Sequence, residues 1–374
     1  MIRVRLIASL MFVFFVINSC FSVMSRGEDK QTNLNNVKAV SGSSIKIIFA
    51  GDLMALGGQI YTAKSGNSYN FIPIFNNVRN LISGADYAVG NLETTVAGKS
   101  FGYTLSGQTG IPVLNAPISY LDAVKSAGFD AVMTANNHCV DKGEKGLLNT
   151  LINLNKKNIA HTGSFKSSSD PNRYLIKTIK GIKIGFLSYT RSFNGKEYLL
   201  SSSKQGYMLN RLSKSKVAAD IKSLKSKGAE FIVVYIHWGE ENTNSYDSSQ
   251  VRDGNIIANA GANVIIGSHP HSLQAVKNIY VNTSGTKKRK VIIAYSLGNF
   301  VSSMQRLINK DGALLELTIK RSSKGFIYVK EMKSFPTYTM SSYKGVGYCV
   351  VDSSKVVNSE TKASVIRVKH VIGF

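Results

Sequence analysis

Five short apolar runs in this chain each break off at a side chain able to bind a metal. Residues 45–50 run into Gly51-Asp52-Leu53-Met54, and residues 87–89 run into Gly90-Asn91-Leu92-Glu93. Residues 130–134 lead to Ala135-Asn136-Asn137-His138. Residues 231–236 lead to His237-Trp238-Gly239-Glu240-Glu241, and residues 262–266 to Gly267-Ser268-His269-Pro270-His271. Apolar runs this short read as buried strands. One strand ending in a polar residue means little. Five, each supplying Asp, Glu, Asn or His, predict a convergent site at the carboxyl edge of a sheet, where open α/β folds build their sites. Residues 118–127, 146–156 and 213–227 repeat apolar side chains at intervals of three and four, which predicts helices. Strands alternating with helices predict an α/β layered fold. With 374 residues, 43% of them hydrophobic, the chain can bury a sizeable core.

The residue types at those strand ends carry chemical meaning. The chain has only six His, and two stand in His269-Pro270-His271. His is the commonest metal ligand among side chains, although that tripeptide alone would also suit a solvated turn. Asp52, Glu93, Asn137, His237, His269 and His271 together form a mixed oxygen and nitrogen set. Such a set suits Mn, Fe or Zn better than Ca or Mg, which prefer oxygen alone. Six ligands exceed one tetrahedral ion and suit two divalent ions sharing a bridging carboxylate. Paired ions of that kind activate water and hold both oxygens of an in-line displacement at phosphorus. His138 is then left over, beside Asn137, to protonate a leaving group.

The ordered pieces resemble the poly-γ-glutamate capsule synthesis protein (CapA) family, a branch of the calcineurin-like metallophosphoesterases. The pieces are Gly51-Asp52-Leu53-Met54, Gly90-Asn91-Leu92-Glu93, Asn136-Asn137-His138 with Asp141, Gly143 and Gly146, and His161-Thr162-Gly163. They continue with His237-Trp238-Gly239 and Glu241, the His269-Pro270-His271 segment, and Tyr295-Ser296-Leu297-Gly298-Asn299-Phe300. The resemblance covers roughly residues 45–320. It implies a four-layer αββα sandwich. Beyond it, residues 325–329 and 346–351 read as strands that complete or flank the sheet, making residues 321–374 a C-terminal β-rich extension, while the basic, partly apolar stretch 364–374 has no readable role. The resemblance implies Asp52 and His271 on one metal, Asn137, His237 and His269 on the other, Glu93 bridging, and His138 as general acid. Two positions depart from the wider metallophosphoesterases. Met54 stands where a His is usual, and Glu93 where an Asp is usual. A thioether is a poor ligand for Mn or Mg, so one metal position is expected to be weakened. Both departures are shared with CapA relatives.

Other residues near these motifs have less specific readings. Trp238 is expected either to wall the pocket or to pack. Glu241 is expected to support an imidazole, and Ser296 and Asn299 to shape a turn near the site. His161 is not read as a ligand. Cys139 reads as a small packed thiol. Pairing of Cys139 with Cys349 stays open, because two distant Cys establish no framework.

The N-terminus predicts targeting. Arg3 and Arg5 precede residues 6–17, which are almost wholly apolar, and then comes Ile17-Asn18-Ser19-Cys20. About a dozen apolar residues suit a signal segment better than a spanning helix, which needs about 20. Lipidation at Cys20 is the leading expectation. An uncleaved anchor extending to Val23 and plain secretion are the alternatives. Residues 24–44 then read as a spacer, and the body is expected on the outer face of the cytoplasmic membrane. The net charge of +24 suits an acidic envelope partner such as poly-γ-glutamate, teichoic acid or anionic lipid headgroups. It would equally arise from a solvated Lys-rich surface. Nucleic acid is not expected, because no nucleic-acid module is present. Capsule synthase subunits are a further expected partner.

Three functions are therefore expected. One is a CapA-like role in poly-γ-glutamate synthesis or export with a metal site. Another is a non-catalytic polyanion-binding scaffold with a structural metal. The third is a secreted metal-dependent phosphoesterase.

Overall fold

The computed structural model describes residues 44–105, 110–283 and 288–373. Its N-terminal half holds β1 (Ser44–Leu53), α1 (Gly57–Ala63), a small ribbon of β2 (Lys64–Ser65) and β3 (Ser68–Tyr69), and α2 (Arg79–Ser83). It continues through β4 (Tyr87–Leu92), α3 (Ser119–Ala127), β5 (Ala131–Met133), α4 (Gly143–Lys156), β6 (Ala160–Thr162), β7 (Leu175–Ile179) and β8 (Ile182–Thr190). Then come α5 (Ser202–Met208), α6 (Lys214–Ser226), β9 (Phe231–His237), α7 (Ser248–Ala260), β10 (Val264–Ser268), β11 (Val276–Asn282) and β12 (Lys288–Ala294). The chain ends with β13 (Asn299–Val301), β14 (Asp311–Arg321), β15 (Ile327–Tyr343), β16 (Val346–Asp352) and α8 (Ser359–Ile372).

Two sheets result. The first runs β16-β15-β14-β1-β4-β5-β6, with β13 beside the end of β1, and the second runs β11-β12-β10-β9-β8-β7. Side chains alternate across each strand, so the sequence period decides which layer each residue enters. Ile45, Ile47 and Phe49 of β1 face Phe231, Val233 and Tyr235 of β9 across a shared inter-sheet core. Their neighbours turn outward. Ile48 and Ala50 pack with Tyr120 and Leu121 of α3 and Leu147 and Leu151 of α4. Ile232, Val234 and Ile236 pack with Ile221 and Leu224 of α6 and Ile257 of α7. The architecture is thus helix, sheet, sheet, helix: the mixed α/β sandwich expected from the sequence. Burying each large inner side chain contributes about 1.5–3 kcal/mol.

Residues 311–352 add three antiparallel strands to the first sheet. The final stretch, unreadable in the sequence, forms α8, whose Val368 and Ile372 close the inter-sheet core. Arg367 on that helix pairs with both oxygens of Asp311 at 2.6 and 2.9 Å. The Cys139 and Cys349 thiols do not pair; both are free and buried, in separate clusters. Among the described residues no helix is long and apolar enough to cross a membrane. The expectations for residues 1–43, Cys20 included, lie outside the described residues.

Candidate metal centre

Parallel register brings the strand ends together. Asp52 of β1 pairs with Asn91 of β4 and, on its other side, with Asn299 of β13. His237 of β9 lies between Ser268 of β10 and Thr190 of β8. The Tyr235 hydroxyl ties the two sheets just beneath, donating toward Val89 O at 3.0 Å and Ala50 O at 3.3 Å. Two glycines permit the close approaches. A Cβ on Gly51 would stand 1.9 Å from Gly298 O, and one on Gly267 1.8 Å from Tyr295 O. His269 and His271 both take positive φ, 99° and 53°. That conformation costs an ordinary residue about 1–3 kcal/mol. The strained loop is held by Asn242 N donating to Pro270 O at 2.7 Å and Asn309 Nδ2 to His271 O at 3.0 Å.

Five of the six expected ligands fall into two groups that share one residue. Glu93, His237 and His269 form one group, and Asp52, Glu93 and His271 the other. Within each, the donor atoms all lie within 4.8 Å of one another. Asn137 joins the first group, its Oδ1 3.0 Å from His237 Nε2. That Nε2 also lies 3.1 Å from His269 Nδ1 and 3.4 Å from Glu93 Oε1. Glu93 Oε1 is 3.6 Å from His271 Nε2.

The residues fit a divalent cation. Glu93 is fully buried, and its Oε1 has no hydrogen-bond partner. Burial, then the Asp52 charge, pushes its carboxyl well above the usual range. A cation would relieve both the orphaned oxygen and the crowded acids. Burial and the neighbouring imidazoles hold His237 well below its ordinary value. Burial, then His271, brings His269 down to about 4. Both rings are therefore neutral near pH 7, with lone pairs available. Burial opposes the charging of His271, yet its hydrogen bond to Asp52 and the Asp52 charge raise it overall.

Partners outside the ligand set fix its geometry. Ser268 Oγ holds His237 Nδ1 at 2.9 Å, and Asn299 Oδ1 holds His271 Nδ1 at 2.9 Å. Asn91 Nδ2 donates to Asp52 Oδ1 at 2.7 Å, while its own Oδ1 accepts from Asn136 Nδ2 at 3.2 Å. His138 is buried, its Nδ1 2.6 Å from Asp141 Oδ2. Lys196 Nζ grips the other Asp141 oxygen at 2.5 Å. Sequence reasoning assigned no role to Asn91, Asn136, Ser268 or Lys196. Asn91 and Asn136 stood inside the quoted motifs, and Ser268 one residue before His269. Nothing local singles out Lys196, which arrives from a distant loop.

The remaining candidates divide. Ser296 Oγ accepts from Gly298 N at 3.1 Å and shapes the turn beside β13. Glu241 is exposed and acts on His271 through its charge. Trp238 donates its indole N–H to Tyr295 O at 2.9 Å and packs in the outer core of the second sheet. Its ring therefore serves packing, the alternative to a pocket wall. Met54 is buried, and its carbonyl accepts from Gln59 Nε2 and Tyr120 Oη, both at 2.9 Å. Burial pushes the Cys139 thiol up to about 12, which suits a packed thiol and not a nucleophile.

Comparison with known proteins agrees with these motifs. The family described as "Bacterial capsule synthesis protein PGA_cap" matches residues 46–304. The chain belongs to that family. Among PGA_cap relatives, the "Capsule biosynthesis protein CapA" of Bacillus anthracis is 28% identical over 284 residues, covering 76% of this chain and 66% of that protein, just short of two thirds. The "PGA biosynthesis protein CapA" of Bacillus subtilis is 27% identical over 290 residues, covering 77% and 71%. Two solved structures are also similar. The calcineurin-like phosphoesterase YfkN from Bacillus subtilis has a TM-score of 0.46 at 14% identity, covering 87% of this chain and 97% of its own. A 5'-nucleotidase precursor from Thermus thermophilus has a TM-score of 0.47 at 11% identity, covering 88% and 59%.

Proposed function

We propose that this PGA_cap protein serves capsule-polymer synthesis or export at the outer face of the cytoplasmic membrane, using a centre of one or two divalent metals. The observation that carries the metal reading is Glu93, a buried carboxylate with an orphaned oxygen, common to both ligand groups. Asp52 and His271 would hold one ion, Asn137, His237 and His269 the other, with Glu93 between them. The mixed donor set favours Mn, Fe or Zn. Bound divalent ions supply water activation and charge stabilisation at a phosphoryl or acyl centre.

The chain's own residues would do the rest. Asp141 holds His138 Nδ1, which leaves Nε2 to carry a proton to a leaving oxygen. Ser268 and Asn299 fix the His237 and His271 rings so that their other nitrogens face Glu93. The charge of +24 supports attraction to an acidic polymer, poly-γ-glutamate or teichoic acid. The Ile17-Asn18-Ser19-Cys20 pattern supports a lipid on Cys20, and capsule synthase subunits are the proposed protein partners.

Metal analysis of purified protein, with turnover measured on phosphoesters and γ-glutamyl polymers, tests the centre. Stoichiometric metal that is lost in His269→Ala/His271→Ala protein is the expected result. Capsule formation fully supported by that double variant would leave only the scaffold reading. Phosphoester turnover without any effect on capsule would favour a general phosphoesterase. For the attachment, Cys20→Ala protein is expected to accumulate as a larger precursor. An intact Met1 start in the natural protein would replace the lipid with an uncleaved anchor.

A further inference from the structure

The loop between β8 and α5, residues 191–201, crosses from one sheet to the other beside the candidate centre. It starts next to a ligand strand. Thr190 pairs with His237 in register, and Arg191 N donates to His237 O at 3.0 Å. Phe193 is then buried in the core between the first sheet and its helices. Arg211 packs its guanidinium over that ring at 5.0 Å and donates Nη1 to Arg191 O at 2.8 Å. The loop is therefore held on both sides of the site.

Past Phe193 the backbone turns left-handed, with φ of 56° at Asn194 and 69° at Gly195. Asn tolerates that conformation better than most residues, and Ser192 Oγ accepts from Asn194 N at 3.0 Å. Two side chains leave this turn for the consecutive motif residues Asn137 and His138. Asn194 Oδ1 accepts from Asn137 Nδ2 at 3.3 Å. Lys196 Nζ reaches Asp141 Oδ1 at 2.5 Å, and Asp141 Oδ2 holds His138 Nδ1 at 2.6 Å.

The Asn194 contact bears on the metal. A carboxamide has two ends of similar shape and opposite chemistry, an acceptor oxygen and a donor nitrogen. Of the two, the oxygen is the end that ligates a cation. Asn137 points Oδ1 at His237 Nε2, 3.0 Å away, the nitrogen that also faces Glu93 and His269. Turned by half a rotation, the amide would present N–H groups there and no ligand. Among the described residues, Asn194 Oδ1 is the acceptor that takes a hydrogen bond from Asn137 Nδ2. We infer that Asn194 is a positioning residue: its side-chain oxygen fixes the orientation of the Asn137 amide and so completes the donor set of Glu93, His237 and His269. The inference rests on the reading of Asn137 as a metal ligand. Residues that touch a ligand and not the ion typically change metal affinity by about 10–100-fold when replaced.

Calorimetric titration of metal-stripped full-length protein with Mn tests this without any substrate. The equivalent held by Glu93, His237 and His269 is the tighter one expected, because Met54 weakens the other. Asn194→Gly suits the left-handed backbone and removes only the side chain. It should weaken the tight equivalent about 10–100-fold and leave the loose one unchanged. Asn194→Asp also accepts the left-handed backbone, and it keeps an acceptor oxygen with no competing donor. It should bind as tightly as the natural chain or more so. Asn137→Ala, measured alongside, tests the ligand reading itself and should lose the tight equivalent. Normal metal binding by Asn137→Ala would overturn that reading, and the inference with it. Loss in Asn137→Ala with normal binding in Asn194→Gly would leave Asn137 a ligand and overturn the role of Asn194 alone. Equal losses in Asn194→Gly and Asn194→Asp would show that side-chain bulk matters and not the acceptor. Weakening of both equivalents in Asn194→Gly would show that the loop merely supports the fold. Either result would overturn the positioning role, and a natural chain that takes up no metal would end both readings.

Discussion

Replacing Glu93 with Gln should have opposite effects on stability with and without metal. The Glu93 side chain is fully buried, its Oε1 lacks a donor, and Asp52 lies close by. In metal-stripped protein this carboxyl is a liability. Its raised pKa means that, above the ordinary carboxylate range, the folded state keeps a proton the unfolded state has released. The unfolded state then binds fewer protons, so stability falls as pH rises through that window. Gln keeps the shape, carries no charge and cannot titrate. Metal-stripped Glu93→Gln protein should therefore equal or exceed the natural chain at neutral pH, by about 1–3 kcal/mol, and should lose that pH slope. Metal reverses the order. A ligand at 100 times its Kd adds about 2.7 kcal/mol to the natural chain, and the variant should gain far less. Trp238, the one Trp and buried, reports unfolding by fluorescence in urea. The comparison needs four curves: natural and variant protein, each stripped and Mn-supplied. A stripped variant less stable by more than about 1 kcal/mol would refute the account of Glu93 as an uncompensated buried acid. An equal gain with Mn in both proteins would refute its place at the metal.

Three further outcomes are expected. His138→Ala should lower any turnover about 10²–10⁴-fold while metal content stays at the natural level; loss of metal instead would make His138 a ligand. Titration of metal-free protein should show one tight and one loose equivalent, and Met54→His should tighten the loose one, since a thioether is a weak ligand for Mn; two equally tight equivalents in the natural protein would contradict this. Gly51→Ala should destabilise by about 3 kcal/mol or more, because its Cβ would stand 1.9 Å from Gly298 O; a change under about 1 kcal/mol in chemical denaturation would show that β1 and the 298 turn part easily.

The sequence alone determined the layers and the identity of the candidate ligands. The continuous apolar runs at residues 45–50 and 231–236 are a local signal for strands buried on both faces, while packing sets which of their side chains enter the inter-sheet core and which meet the helices. Asp52, Glu93, Asn137, His237, His269 and His271 were legible because each stands at or just past the end of an apolar run, and such ends gather at one edge of parallel strands. Only the tertiary structure decided how those residues are grouped and held. Glu93 became the shared corner through parallel pairing of distant segments, which no local pattern encodes. The Asn299 grip on His271 depends on β13 lying beside β1, and the Lys196 grip on Asp141 on a loop reaching across from β8. Trp238, adjacent to a ligand in sequence, turned away because successive strand residues face opposite sides. The orphaned Glu93 oxygen was invisible for the same reason that α8 was. A sequence displays polar atoms and apolar stripes, but only packing reveals which polar atom is left without a partner and which stripe closes a core.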